Sequence, residues 1–111
     1  MIAFKPLSPR FGVETADIDL SLPLSDAVFA QLEQAFYANQ VLALRGQRIT
    51  AAQFGAFARR IGPPQPHVID QFHHPEDSNI LILSNVKKDG QPTGLQDAGS
   101  YFHTDYSYLQ V

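Results

Sequence analysis

The chain has 111 residues, 44% of them hydrophobic and 17% charged, a globular composition of one domain's size or less. With a net charge of -3, no run of Lys or Arg and no apolar run near the roughly 20 residues of a membrane span, nucleic acid and membrane are not expected as partners. The absence of cysteine excludes disulfides, thiolate metal sites and a cysteine nucleophile, and residues 1–10 lack a secretory signal's apolar stretch, so a cytoplasmic protein is expected.

Residues 2–7 read as a short extended stretch stopped by Pro6 and Pro9. Residues 12–20 set Val13, Thr15 and Ile18 against polar neighbours, the alternation of a strand. From Ser25 the period becomes helical: Val28, Phe29, Leu32, Ala35 and Phe36 share one face, with Glu33 and Gln34 opposite. Ser25 or Asp26 can cap this helix by accepting a free backbone N–H, and Asn39 can stop it. Residues 40–44 form an apolar run that reads as a buried strand, ended by Gly46.

The second helix is specified more fully. Thr50 with Gln53 makes a capping box, and Ile49 can pack on Phe54 as a hydrophobic staple. Phe54, Phe57, Ala58 and Ile61 follow at helical spacing, and Gly62, Pro63 and Pro64 end the helix. The stripe of Phe54, Phe57 and Ile61 is expected to be core. Residues 63–78 show little periodicity and read as a long loop, a kind of segment that often carries function. Residues 80–86 read as a strand, Lys87, Lys88, Asp89 and Gly90 as a turn, and residues 91–99 as a second polar loop. Residues 101–109 alternate again, with Tyr101, His103, Asp105, Ser107 and Leu109 on one side.

That last alternation points to chemistry. Residues two apart on an extended segment face the same way, so His103 and Asp105 would present an imidazole and a carboxylate together. Such a step can supply two ligands of a 2-His-1-carboxylate facial triad, which leaves open positions on iron. Alone, the pattern is short enough to arise by chance, and its bland reading is a surface His–Asp pair without metal.

The flanking residues favour the first reading. The run from Gly94 through Asp97, Gly99, Tyr101, Phe102, His103, Thr104 and Asp105 to Tyr106, Ser107 and Tyr108 resembles the metal-binding segment of the taurine dioxygenase family. In that family an aromatic residue precedes His-Thr-Asp; it is often Trp, and here it is Phe102. The upstream order agrees: Gly12, Val13 and Glu14 before Asp19 and Leu20, a helix start at Leu24 and Ser25, the run of residues 40–45, a helix ending in Arg60, Ile61 and Gly62, and the strand of residues 80–86.

The resemblance implies an α+β chain that is the N-terminal portion of a double-stranded β-helix (jelly roll) with two flanking helices. Residues 1–111 would be the N-terminal part of a single such domain, its C-terminal half absent. It implies Fe(II) held by His103, Asp105 and a distal His, with 2-oxoglutarate as co-substrate chelating the iron and meeting an Arg near the C-terminus. The reaction implied is hydroxylation of a small-molecule organic substrate with release of succinate and CO2; no side chain here is assigned as catalytic. His67, which follows the second helix, is implied as a substrate contact, with a solvated loop histidine as the alternative. Asn85 is a second candidate for substrate binding, with a turn-forming role as its alternative. His73 and His74 read as a loop pair and not a ligand set, since adjacent extended residues point apart. Asp97 and Gly99 would shape the loop beside the metal, Gly99 through backbone freedom.

The distal His and the Arg are not among these residues: His67, His73 and His74 precede the His-Thr-Asp step, and Arg45, Arg48, Arg59 and Arg60 lie too early. The isolated chain is therefore expected to show no turnover. It is also expected to form a homo-oligomer, because an incomplete jelly roll leaves sheet edges exposed. The rival readings are a truncated, inactive homologue acting as a binding or assembly module, and a metal-free interaction domain.

Overall fold

Over residues 1–105, those that the computed structural model describes, local signals produce two helices and seven short strands. The chain divides into two units, Met1–Pro63 and Pro64–Val111.

In the first unit β1 (Lys5–Pro6), β2 (Val13–Thr15) and β3 (Leu42–Leu44) form one sheet in that order. β1 runs antiparallel to β2, whereas β3 runs parallel to it, with Val13 opposite Leu42 and Thr15 opposite Leu44. A parallel neighbour requires a crossover, and α1 (Asp26–Asn39) supplies it. The alternation expected around Val13 is present: Val13 and Thr15 are buried and Glu14 is not, its carboxylate pairing with Arg45. The buried Thr15 hydroxyl accepts the Asp17 N–H at 3.2 Å, so its burial leaves no polar atom unmet.

Ser25 caps α1 by accepting the Val28 N–H at 3.2 Å. The helix ends at Asn39 because Gln40 takes a left-handed conformation (φ 67°) and returns its N–H to Phe36 O. Of the apolar face of α1, Leu32 is the most deeply buried, at 2% exposure, and with Val13 and Ile18 it forms the small apolar core of the described residues. Gln47 joins two loops there, accepting from Leu20 N–H and donating to the carbonyl of Ile18. Nearby, the Ser21 hydroxyl and N–H both donate to Asp19, which holds that carboxyl below its ordinary range.

α2 (Ala51–Ile61) carries both halves of the capping box: Thr50 Oγ1 accepts from Gln53 N–H at 3.2 Å, and Gln53 Oε1 accepts from Thr50 N–H at 2.9 Å. Thr50→Ala should cost about 1 kcal/mol of stability and Thr50→Ser very little, which urea unfolding would register. At the other end Arg60 donates to Leu24 O and Asp26 Oδ1 and lies 4.5 Å from the Phe29 ring centre. The expectation that Phe54, Phe57 and Ile61 are core is corrected. Phe57 meets Phe29 edge-on, but Phe54 and Ile61 are 49% and 64% exposed. Helical spacing shows that the three share a face. It does not supply the surface that covers them, and among the described residues most of that face has none.

The second unit replaces part of the expected long loop with a hairpin. β4 (His73–His74) pairs antiparallel with β5 (Asp77–Leu81), so His73 and His74 belong to a strand and not to a loop. A two-residue strand is too short to show a period, which is why the sequence did not reveal it. The strand expected over residues 80–86 starts earlier, at Asp77, and ends at Leu81, because its backbone changes partner. Ile82 N–H donates to Phe72 O, while Ser84 N–H donates to Leu95 O and Leu95 N–H to Ile82 O. β6 (Lys87–Lys88) and β7 (Gln91–Pro92) then form a hairpin whose central residues Asp89 and Gly90 have φ of 52° and 75°. That is the two-residue turn such a pair favours.

Gly94 permits the approach of Leu95 to residues 82–84. A Cβ there would lie 2.8 Å from Ser84 N and 2.9 Å from Ile82 O, both backbone atoms that cannot move aside singly. Gly94→Ala should therefore destabilise this unit by about 2 kcal/mol and speed hydrogen exchange at the Ser84 and Leu95 amides.

Residues 101–105 are not a strand, which corrects the described half of the expectation for residues 101–109; residues 106–109 lie outside the described residues. A strand needs a partner for its backbone, and among the described residues none pairs with this segment. The described residues make an α+β chain of two helices and small sheets, with no closed barrel. None of their helices is long and apolar enough to cross a membrane.

Candidate metal centre

Although residues 101–105 bend, His103 and Asp105 still meet. His103 Nε2 lies 3.3 Å from Asp105 Oδ1. The bend achieves this by turning the imidazole back on its own chain, so that His103 Nδ1 lies 2.7 Å from Tyr101 O. A carbonyl can only accept, so Nδ1 carries a proton and donates it. In the neutral ring Nε2 then bears the lone pair, the tautomer a metal-binding histidine uses. The Tyr101 ring packs edge-on to the imidazole at 6.3 Å and 72°.

The consequence is electrostatic. With the neutral ring's proton committed to Tyr101, Nε2 and Asp105 Oδ1 are two lone-pair donors 3.3 Å apart with no hydrogen between them. A second proton on the ring would make an ordinary, exposed ion pair of small energetic value. A divalent cation resolves the same contact differently. Two cis ligands on a six-coordinate ion, each about 2.1 Å from it, stand roughly 3 Å apart. The observed separation of 3.3 Å suits that bite, and the imidazole-plus-carboxylate donor set suits iron. Among the described residues no third His, Asp or Glu joins them.

The pair lines an open cleft of about 620 Å³, within the range of small-molecule sites. Val68, Ile69, Leu81, Leu83 and Leu95 supply its apolar wall. His67 lines the same cleft; its Nδ1 accepts the Ile69 N–H at 3.0 Å, which places the neutral ring's hydrogen on Nε2. Asn85 is exposed, between the Leu83 bridge and β6, and does not line the cleft. His73 and His74 are engaged locally: His73 Nε2 donates to His67 O, and His74 Nδ1 accepts the Glu76 N–H. The sequence reading missed the Tyr101 carbonyl, which has no side-chain signal. Only the bend of the chain makes it the partner of His103.

Residues 3–111 match the model of the family described as taurine catabolism dioxygenase TauD, TfdA family. A pentalenolactone F synthase of Streptomyces arenae is 41% identical over 70 residues, covering 61% of this chain and 23% of that protein. An alpha-ketoglutarate-dependent 2,4-dichlorophenoxyacetate dioxygenase of Cupriavidus pinatubonensis (strain JMP 134 / LMG 1197) is 29% identical over 119 aligned positions, covering 98% of this chain and 42% of that protein. The chain thus spans less than half the length of these curated relatives.

Proposed function

We propose, from the premise that this chain belongs to the taurine catabolism dioxygenase TauD, TfdA family, that it carries two iron ligands of an Fe(II)- and 2-oxoglutarate-dependent dioxygenase acting on a small organic substrate. The observation that carries the proposal is the approach of His103 Nε2 to Asp105 Oδ1 at 3.3 Å, with Nδ1 held by Tyr101 O. One relative is named as alpha-ketoglutarate-dependent, which supports the same co-substrate here. In this reading residues 1–111 are the N-terminal part of one jelly-roll domain. The third ligand, a further His, and the Arg for 2-oxoglutarate are supplied outside the described residues.

Bound iron with 2-oxoglutarate and O2 would supply oxidative decarboxylation, one oxygen atom going to succinate as CO2 is released and the other into a substrate C–H bond. The chain's own residues bind and orient. The Tyr101 carbonyl keeps the proton on His103 Nδ1 so that Nε2 stays a ligand, and Asp105 adds the negative charge that favours a divalent cation. Leu81, Leu83 and Leu95 give one wall of the cleft an apolar surface. His67, which lines the same cleft, is the candidate substrate contact. Asn85 is left out of this reading because it does not line the cleft.

Anaerobic Fe(II) titration, with and without 2-oxoglutarate and followed by visible absorbance, tests it. The reading expects iron binding that is lost in His103→Ala. It also expects a charge-transfer band requiring both iron and 2-oxoglutarate in a protein that carries the remaining ligands. Iron binding indifferent to His103→Ala sinks it.

A further inference from the structure

We propose that Gly99 is a positioning residue that selects the tautomer of His103. Its φ is +69°, and its α-carbon lies so close to the imidazole that an added Cβ would stand 2.9 Å from Cε1, 3.6 Å from Nε2 and 3.9 Å from Nδ1. Carbon atoms in favourable contact sit about 3.5–4.0 Å apart. Any side chain at this position therefore drives the ring outward by roughly half an ångström or more.

Among the described residues the His103 ring makes one hydrogen bond, that of 2.7 Å from Nδ1–H to Tyr101 O. An outward displacement of that size lengthens the bond toward the limit of about 3.2 Å and spoils its angle. Once the Tyr101 carbonyl no longer claims the proton, the ring's other tautomer gains a better partner. With the ring displaced, Nε2–H can turn to donate to Asp105 Oδ1, whose oxygen lies 3.3 Å away. The contact between two lone-pair donors would then become a plain His–Asp hydrogen bond, and the nitrogen offered to a metal would be blocked. A glycine four residues before the histidine thus decides which nitrogen is available.

The effect on tautomer follows from the geometry alone, while its consequence for iron rests on the metal reading proposed above. The test separates the two. Long-range 1H–15N correlation of the imidazoles would be recorded on the metal-free protein for the parent, Gly99→Ala and Gly99→Asn. Asn tolerates positive φ but carries the same Cβ, so it separates the ring contact from backbone strain. The expected result is an Nδ1–H tautomer for His103 in the parent and a shift toward Nε2–H in both variants. Co(II) affinity should also fall about tenfold or more in both, the usual effect of losing a partner that orients a ligand. An unchanged His103 tautomer in Gly99→Asn overturns the proposal, whatever Gly99→Ala does. Co(II) binding unaffected by His103→Ala would refute the metal reading, while the tautomer spectra would still decide the role of Gly99.

Discussion

Asp105→Ala is expected to lower Fe(II) affinity by at least about a hundredfold, because removal of residues that merely orient a ligand already costs ten- to hundredfold. Asp105 is the only anionic group facing His103 Nε2 among the described contacts, at 3.3 Å. Without it the imidazole is one neutral donor in an open cleft and has nothing to offset dehydration of the cation. Asp105→Asn keeps an oxygen but loses the charge, so its affinity should fall between the two. Because Asp105 is 89% exposed and, among the described residues, its carboxylate meets only His103, stability should change little. Anaerobic calorimetry with Fe(II), paired with urea unfolding, would separate these effects. Equal affinity in Asp105→Ala and the parent would mean that the His–Asp contact is only a surface pair.

Leu32→Ala should destabilise the first unit by about 3 kcal/mol, within the usual range for a buried leucine. Leu32 is 2% exposed, and only Val13 and Ile18, at 8% each, accompany it among the buried apolar residues described. A domain of ordinary stability has about 5–15 kcal/mol in total, so this one change would remove a large share. Phe54→Ala, on the apolar stripe of α2, should cost well under half as much, because Phe54 is already 49% exposed. Urea unfolding monitored by circular dichroism would rank the two, and a reversed order would place the core elsewhere.

The contrast between Leu32 and Phe54 shows what kind of information each level held. Both residues sit on helices with clear apolar faces, and periodicity treats them alike. Burial depends on what lies opposite, which no local window contains. Ser25 and Thr50 were legible as caps because a cap is satisfied within three residues of itself. The Asp89–Gly90 turn was legible for the same reason. The parallel pairing of β2 with β3 was not, since its partners are 29 residues apart and the alternation of Val13 and Thr15 is equally compatible with either direction.

The candidate site divides along the same line. By composition and spacing the sequence determined that a metal here must be held by imidazole and carboxylate, and that His103 and Asp105 lie two positions apart. It also carried the family to which the chain belongs, through residues 3–111. It suggested that a strand would present the pair, and the described residues show a bend instead. Only the tertiary structure decided which nitrogen of His103 faces Asp105, that His67 lines the same cleft while Asn85 does not, and how closely Gly99 approaches the ring. The physical reason is range. Caps, turns and residue chemistry are settled by atoms a few bonds away, whereas tautomer, burial and convergence on a cleft depend on where the backbone carries groups that are distant in sequence.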